Sequence, residues 1–124
     1  MKRRVSQLAN IYKILTDTLK GDYPVREQGA FAANETLPET FITYQLIDEP
    51  DTAHYDNEPV SKTSRFQVAL YSKDPALKQG ADALFRSVMI TAGFLRSGGR
   101  DLPYDKGTGH YGYASDYRFY ETEV

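Results

Sequence analysis

The sequence predicts an α+β domain, an antiparallel sheet with two helices packed on one face in the order α-β-β-β-α-β-β. Three patterns carry the prediction. Apolar residues recur every three or four positions near the N-terminus and again after Asp74, the period of an amphipathic helix. Residues 62–72 and 110–120 alternate with the two-residue period of strands. Short connections between strands suit hairpins, and the apolar stripes of the helices need a sheet face to cover. The 124 residues read as one domain, 1–124, long enough to bury roughly two-thirds of the surface an unfolded chain exposes.

The first helix is predicted over 4–20. Val5, Leu8, Ile11, Tyr12, Leu15 and Leu19 share one face, Gly21 follows as a left-handed stop, and Tyr23-Pro24 forces extended backbone. A short strand is expected near Val25, then an irregular loop through Gly29, Asn34 and Pro38. Thr40 to Ile47 is β-branched and aromatic, with Ile42, Tyr44 and Leu46 on one face, and reads as a strand. Asp48 to Pro59 holds Asp48, Glu49, Asp51, Asp56 and Glu58 among Pro50, Asn57 and Pro59, which predicts an exposed acidic hairpin tip. In the following strand Phe66, Val68 and Leu70 alternate against Arg65, Gln67, Ala69 and Tyr71.

Asp74-Pro75 predicts the start of the second helix, because Asp accepts free first-turn amides and Pro has no amide to leave unsatisfied. Its stripe is Ala76, Leu77, Ala81, Leu84, Phe85, Val88 and Met89, with Gly93 as the stop and Gly80 as an internal cost. The core is expected to join Leu8, Ile11, Leu15 and Leu19 to Leu84, Phe85 and Val88 and to Phe66, Val68 and Leu70. Gly98-Gly99 reads as a turn, Gly107 and Gly109 as a second. The last strand has Tyr111, Tyr113, Tyr117 and Phe119 on one parity and His110, Gly112, Asp116 and Arg118 on the other.

The absence of Cys excludes disulfides, thiolate zinc sites, iron-sulfur clusters and cysteine nucleophiles. With 15 Lys plus Arg against 17 Asp plus Glu, the chain has no basic excess for neutralising phosphates, and no sequence-specific nucleic-acid binding is expected. Met1-Lys2-Arg3-Arg4 begins like a signal peptide, but Ser6, Gln7, Asn10, Lys13, Asp17 and Lys20 interrupt the apolar residues after it. Neither export nor a membrane span is read, and the compartment is expected to be cytoplasmic. Ten Tyr without a Trp hint at interfaces, because a tyrosine packs while its hydroxyl stays wet. Half-buried strand positions would account for the same excess.

Candidate chemistry is sparse. His54, Asp56 and Glu58 alternate and would point the same way in a strand, where they could share a divalent ion; a solvated loop is the rival reading, and no cofactor or metal is assigned. A His54–His110 proton shuttle would need the two to converge in a pocket. Gly98-Gly99-Arg100 and Gly107-Thr108-Gly109 lack the strand-to-helix setting of a phosphate loop. Lys2, Arg3 and Arg4 with Arg96, Arg100 and Lys106 could form a local positive surface, against scattered solvated charge. The tyrosines from Tyr104 to Tyr120 lack the interleaved Lys and Arg of a base-stacking platform. No nucleophile elbow occurs and no carboxylate pair stands out beyond the acidic loop, so nothing asks for an enzyme.

The helix ending at Gly21, the strand Phe41-Ile42-Thr43-Tyr44, the run Phe66 to Asp74 leading into a helix, and the closing Tyr117-Arg118-Phe119-Tyr120 together resemble the tail-completion and tail-terminator (head-tail joining) proteins of long-tailed bacteriophages. The likeness covers nearly the full chain and is one of layout more than motif. It implies a structural virion protein of a phage or prophage, a homo-oligomer in the form of a hexameric ring at the head-proximal end of the tail, meeting tail-tube and head-connector proteins. It implies assembly in the host cytoplasm, no membrane and no catalytic residues. Asp48, Glu49, Asp51, His54, Asp56, Glu58, Arg100, Tyr104, Lys106 and Tyr111 are the expected interface. The acidic loop has no counterpart in the family pattern; the ring lumen and a partner surface both remain open for it. A monomeric isolated subunit is compatible with this expectation. The competing class is a small α+β enzyme or ligand-binding domain with a pocket near His54 or His110; a nucleic-acid-processing toxin should be basic and is disfavoured.

Overall fold

The computed structural model describes residues 13, 17, 23–30, 36–48 and 61–122. Five strands form one mixed sheet: β1 (Val25–Glu27), β2 (Thr40–Asp48), β3 (Ser61–Ser72), β4 (Leu95–Asp105) and β5 (His110–Thr122), in spatial order β1-β2-β3-β5-β4. The α+β class holds. The purely antiparallel sheet does not, because β1 pairs parallel to β2, Val25 opposite Ile42. Residues 28–39 join the two, the length a parallel crossover needs where a hairpin would be shorter. The other pairings are antiparallel.

The second helix is not one rod. Asp74 caps it as expected, its Oδ1 accepting the Ala76 amide at 2.9 Å with Pro75 next in line. Pro75–Gln79 (α1) then breaks at Gly80, Ala81–Phe85 (α2) follows, and Arg86–Ile90 forms a π-helical turn; Gly93, φ +99°, lies in the turn that closes the segment. Lys13 and Asp17 are helical and ion-paired at 3.3 Å; the rest of the helix expected over 4–20, with Leu8, Ile11, Leu15 and Leu19, lies outside the described residues.

The core lies between the helical segment and one sheet face. Ile42, Phe66, Val68, Leu70, Phe85, Met89, Phe94 and Tyr117 are buried there, and Tyr113 and Phe119 pack against them. The strand parities read from the sequence therefore point as predicted. Leu84 sits at the margin, half-buried, and Phe85 takes the centre. Phe94 anchors the entry into β4 by packing edge-on to Phe66 and against Phe119, ring centroids 6.1 and 4.7 Å away.

Gly98-Gly99 is not a turn. Both residues lie within β4, where the register with β5 shifts between Arg96 and Gly98. The turn at Gly107 and Gly109 stands: the Asp105 carbonyl accepts from the Gly109 amide at 2.7 Å, Asp105 Oδ1 accepts from the Gly107 amide at 2.9 Å, and Gly109 has φ +82°.

Candidate functional site

The face opposite the helical segment is also partly buried, which strand parity did not predict. Phe41, Thr43, Ala69, His110 and Ala114 are buried on it. Phe41 and Tyr71 stack with centroids 5.1 Å apart, and His110 packs edge-on to Phe41 at 5.3 Å. Gly112 makes room for this cluster, since a Cβ there would come within 3.0 Å of Leu102 and 3.1 Å of Tyr71.

Phe41, Thr43, Tyr71 and His110 floor a groove of about 790 Å³, inside the size range of small-ligand pockets. Leu102, Pro103 and Tyr104 of β4, the turn from Asp105 to Thr108, Leu37, and Gln28-Gly29 after β1 form its walls. Tyr104 is half-exposed and leans on Tyr111, centroids 4.7 Å apart. Burial raises the Tyr71 pKa above the ordinary phenol value against the opposing charge of Arg100, so its hydroxyl stays protonated.

His110 Nε2 lies 2.8 Å from the Pro38 carbonyl. A carbonyl only accepts, so Nε2 carries the proton and donates. In the neutral ring Nδ1 is then a lone-pair acceptor, and it is buried without a hydrogen-bond partner.

Of the interface residues expected from the sequence, Tyr104, Lys106 and Tyr111 meet at the end of the β4–β5 hairpin, with Tyr104 and Lys106 lining the groove. Arg100 is exposed further down β4, its guanidinium 3.4 Å from Gln67 Oε1 and 3.9 Å from Asp116 Oδ1. Asp48 closes β2. Glu49, Asp51, His54, Asp56 and Glu58 lie outside the described residues, as do Lys2, Arg3 and Arg4 of the conjectured positive surface. Among the described residues no group of three or more His, Asp or Glu is placed to hold a metal, and no helix is long and apolar enough to cross a membrane. Sequence reasoning missed Phe41, Thr43, Tyr71 and Leu102. The available signal was Phe41 and Tyr71 themselves, two aromatics on the parity otherwise given to polar residues.

A polar cluster pins the helical segment to the same hairpin from the core side. Asp82 accepts from Arg86 Nε at 2.8 Å, from Arg96 Nε at 3.1 Å and from the Tyr113 hydroxyl at 3.0 Å; Arg96 Nη2 also donates to that hydroxyl at 3.0 Å. Burial alone would raise the Asp82 pKa, but the hydrogen bonds from Arg86 and Tyr113 and the charges of Arg96 and Arg86 outweigh it and hold the carboxyl below its usual value.

No protein-family model matches the chain, and no curated protein matches it.

Proposed function

We propose that this protein is a structural subunit of a long-tailed phage or prophage, a tail-terminator or tail-completion protein that forms a ring at the head-proximal end of the tail. One observation carries the assembly part of the reading. The aromatic groove lies at one end of the sheet, around Phe41, Tyr71 and His110, while β2 ends and β3 begins at the other, at Asp48 and Ser61. The acidic segment joins those two ends. A groove at one end of the sheet, with a chain segment of opposite chemical character joined to strand ends at the other, suits a heterologous, head-to-tail contact, which closes into a ring when the rotation allows. The phage assignment draws on the resemblance in layout. The partners are further copies of this chain in a hexameric ring, tail-tube proteins and head connectors; the role is structural, in the virion, with assembly in the host cytoplasm and no cofactor.

Deleting residues 51–57 tests this. The expected outcome is near-normal folded stability with production of tailed, infectious particles blocked. Normal particles with a collapsed melting temperature would make the segment structural and overturn the assignment. Zinc, manganese or calcium is expected to leave the melting temperature unchanged; a saturable shift abolished by His54→Ala would instead place an ion with His54, Asp56 and Glu58.

The groove beside His110 also favours a second reading, a small ligand-binding domain. That reading requires a free small molecule to saturate the groove and the 51–57 deletion to leave function intact.

A further inference from the structure

Each of β1, β2, β3 and β5 buries at least one side chain, whereas β4 buries none. The run without a buried residue continues through the hairpin turn, from Leu95 to Gly109, and is bracketed by Phe94 at 1% exposure and His110 at 3%. The segment is therefore pinned at its two ends and has no hydrophobic anchor between them. What holds its middle is polar. The ladder to β5 breaks register twice, between Arg96 and Gly98 and between Leu102 and Asp105. On the helix face Lys78 Nζ lies 3.2 Å from Asp101 Oδ2, and Arg96 Nε lies 3.1 Å from Asp82 Oδ1. On the open face Arg100 reaches past β5 to Gln67 of β3, at 3.4 Å.

The same segment walls the groove, through Leu102, Pro103, Tyr104 and the turn from Asp105 to Thr108, and the outer edge of β4 pairs with no strand among the described residues. Partly exposed ion pairs contribute little each, so an element held by them opens at a lower free energy than the whole fold. Glycines stand where the chain has to bend for this: Gly93, φ +99°, just before Phe94, and Gly109, φ +82°, just before His110.

We propose that residues 95–109 are a strap that lifts from β5 between Phe94 and His110 and so opens the groove wall, and that the pairs Lys78–Asp101 and Asp82–Arg96 set how often it lifts. The latch lies on the helix face and the groove on the open face. Anything that engages Lys78 or Asp82 then changes access to the groove from the other side of the sheet. This goes beyond the assembly reading and does not depend on it.

Native-state amide hydrogen exchange on the full-length protein separates the strap from the rest of the sheet. The hydrogen-bonded amides between Gly98 and Leu102 are expected to exchange as a group, faster than those of Val68 to Leu70 in β3. Asp101→Asn should speed that group about two- to fivefold and leave β3 unchanged, and Lys78→Asp combined with Asp101→Lys should return it toward the parent rate. The chain has no Cys, so Thr43→Cys places a single thiol on the groove floor. Its rate of reaction with a soluble disulfide reagent should rise by the same factor when Asp101→Asn is added. Should Thr43→Cys fail to fold, Leu37→Cys, at a half-buried lining position, carries the same test. A strap that exchanges only together with β3, or equal acceleration of both strands by Asp101→Asn, overturns the proposal. A strap that responds while the thiol does not removes its control of the groove.

Discussion

An ideal Cβ placed on Gly99 would come within 2.7 Å of Arg96 Nη2 and 2.8 Å of Tyr113 Cζ, whereas one on neighbouring Gly98 would meet nothing within 4 Å. Gly99 is therefore the place where the Tyr113 ring crosses β4 on its way to Asp82. Gly99→Ala is expected to cost about 1–3 kcal/mol in urea unfolding through displacement of Tyr113 and Arg96, and Gly98→Ala to stay within about 0.5 kcal/mol. Equal effects would break this account of the pair. Asp82 adds a pH dependence with a definite sign. Its folded pKa is depressed, so the stability it contributes is fully present above the unfolded value near 4 and is lost as pH falls through the folded value. A third of its side chain is exposed, so the effect should stay below about 1 kcal/mol, and Asp82→Asn should flatten that part of the acid limb. The Gly-Gly pair reads as a turn in the sequence because the reason for it is a tyrosine fourteen positions away, and no local rule reports a side chain arriving from another strand.

Secondary-structure elements differ in how locally they are determined. The Asp74-Pro75 start was legible because cap and first turn are contiguous, and Asp74→Ala is expected to cost about 1 kcal/mol in thermal unfolding. The breakage of the following helix was only half legible. Gly80 announced a weak point, but the π-helical turn at Arg86–Ile90 carries no residue signature; it places Val88 and Met89 on the sheet and lets the Phe94 amide reach the Met89 carbonyl at 2.9 Å. The same segment gives a graded packing test. Phe85→Ala, at the buried centre, should cost about 3–5 kcal/mol, and Leu84→Ala, half-buried beside it, about 1–2 kcal/mol. The reverse order would place Leu84 in the core after all. The groove was legible least of all. Alternation identifies one buried face of β2 and β3, but that Leu102, Pro103 and Tyr104 of β4 and the following turn line a groove with Phe41 and Tyr71 on the other face is a fact of tertiary arrangement.

For the whole molecule, the α+β class followed from periodicity alone, while the parallel β1 depended on a crossover that has no period to read. Net charge and the missing Cys narrowed the function classes without choosing among them, and the choice now rests on the 51–57 deletion. Strand order also bears on how the sheet is assembled. The β2–β3 and β4–β5 ladders join neighbours in sequence, whereas the β3–β5 ladder joins Ser72 to Tyr111 at one end and Ser61 to Thr122 at the other. Closing that central seam requires the longest excursions of chain in the sheet, so it is expected to set the folding rate. Ala69 and Ala114, buried and paired across it, are the natural reporters. In a chevron experiment Ala114→Gly should lose most of its stability through slower refolding, while a change in β1 should act almost entirely on the unfolding limb. The kinetic trap facing this protein is then a pair of finished hairpins that have not yet met, each with an open edge through which a neighbouring chain can be mistaken for its own other half.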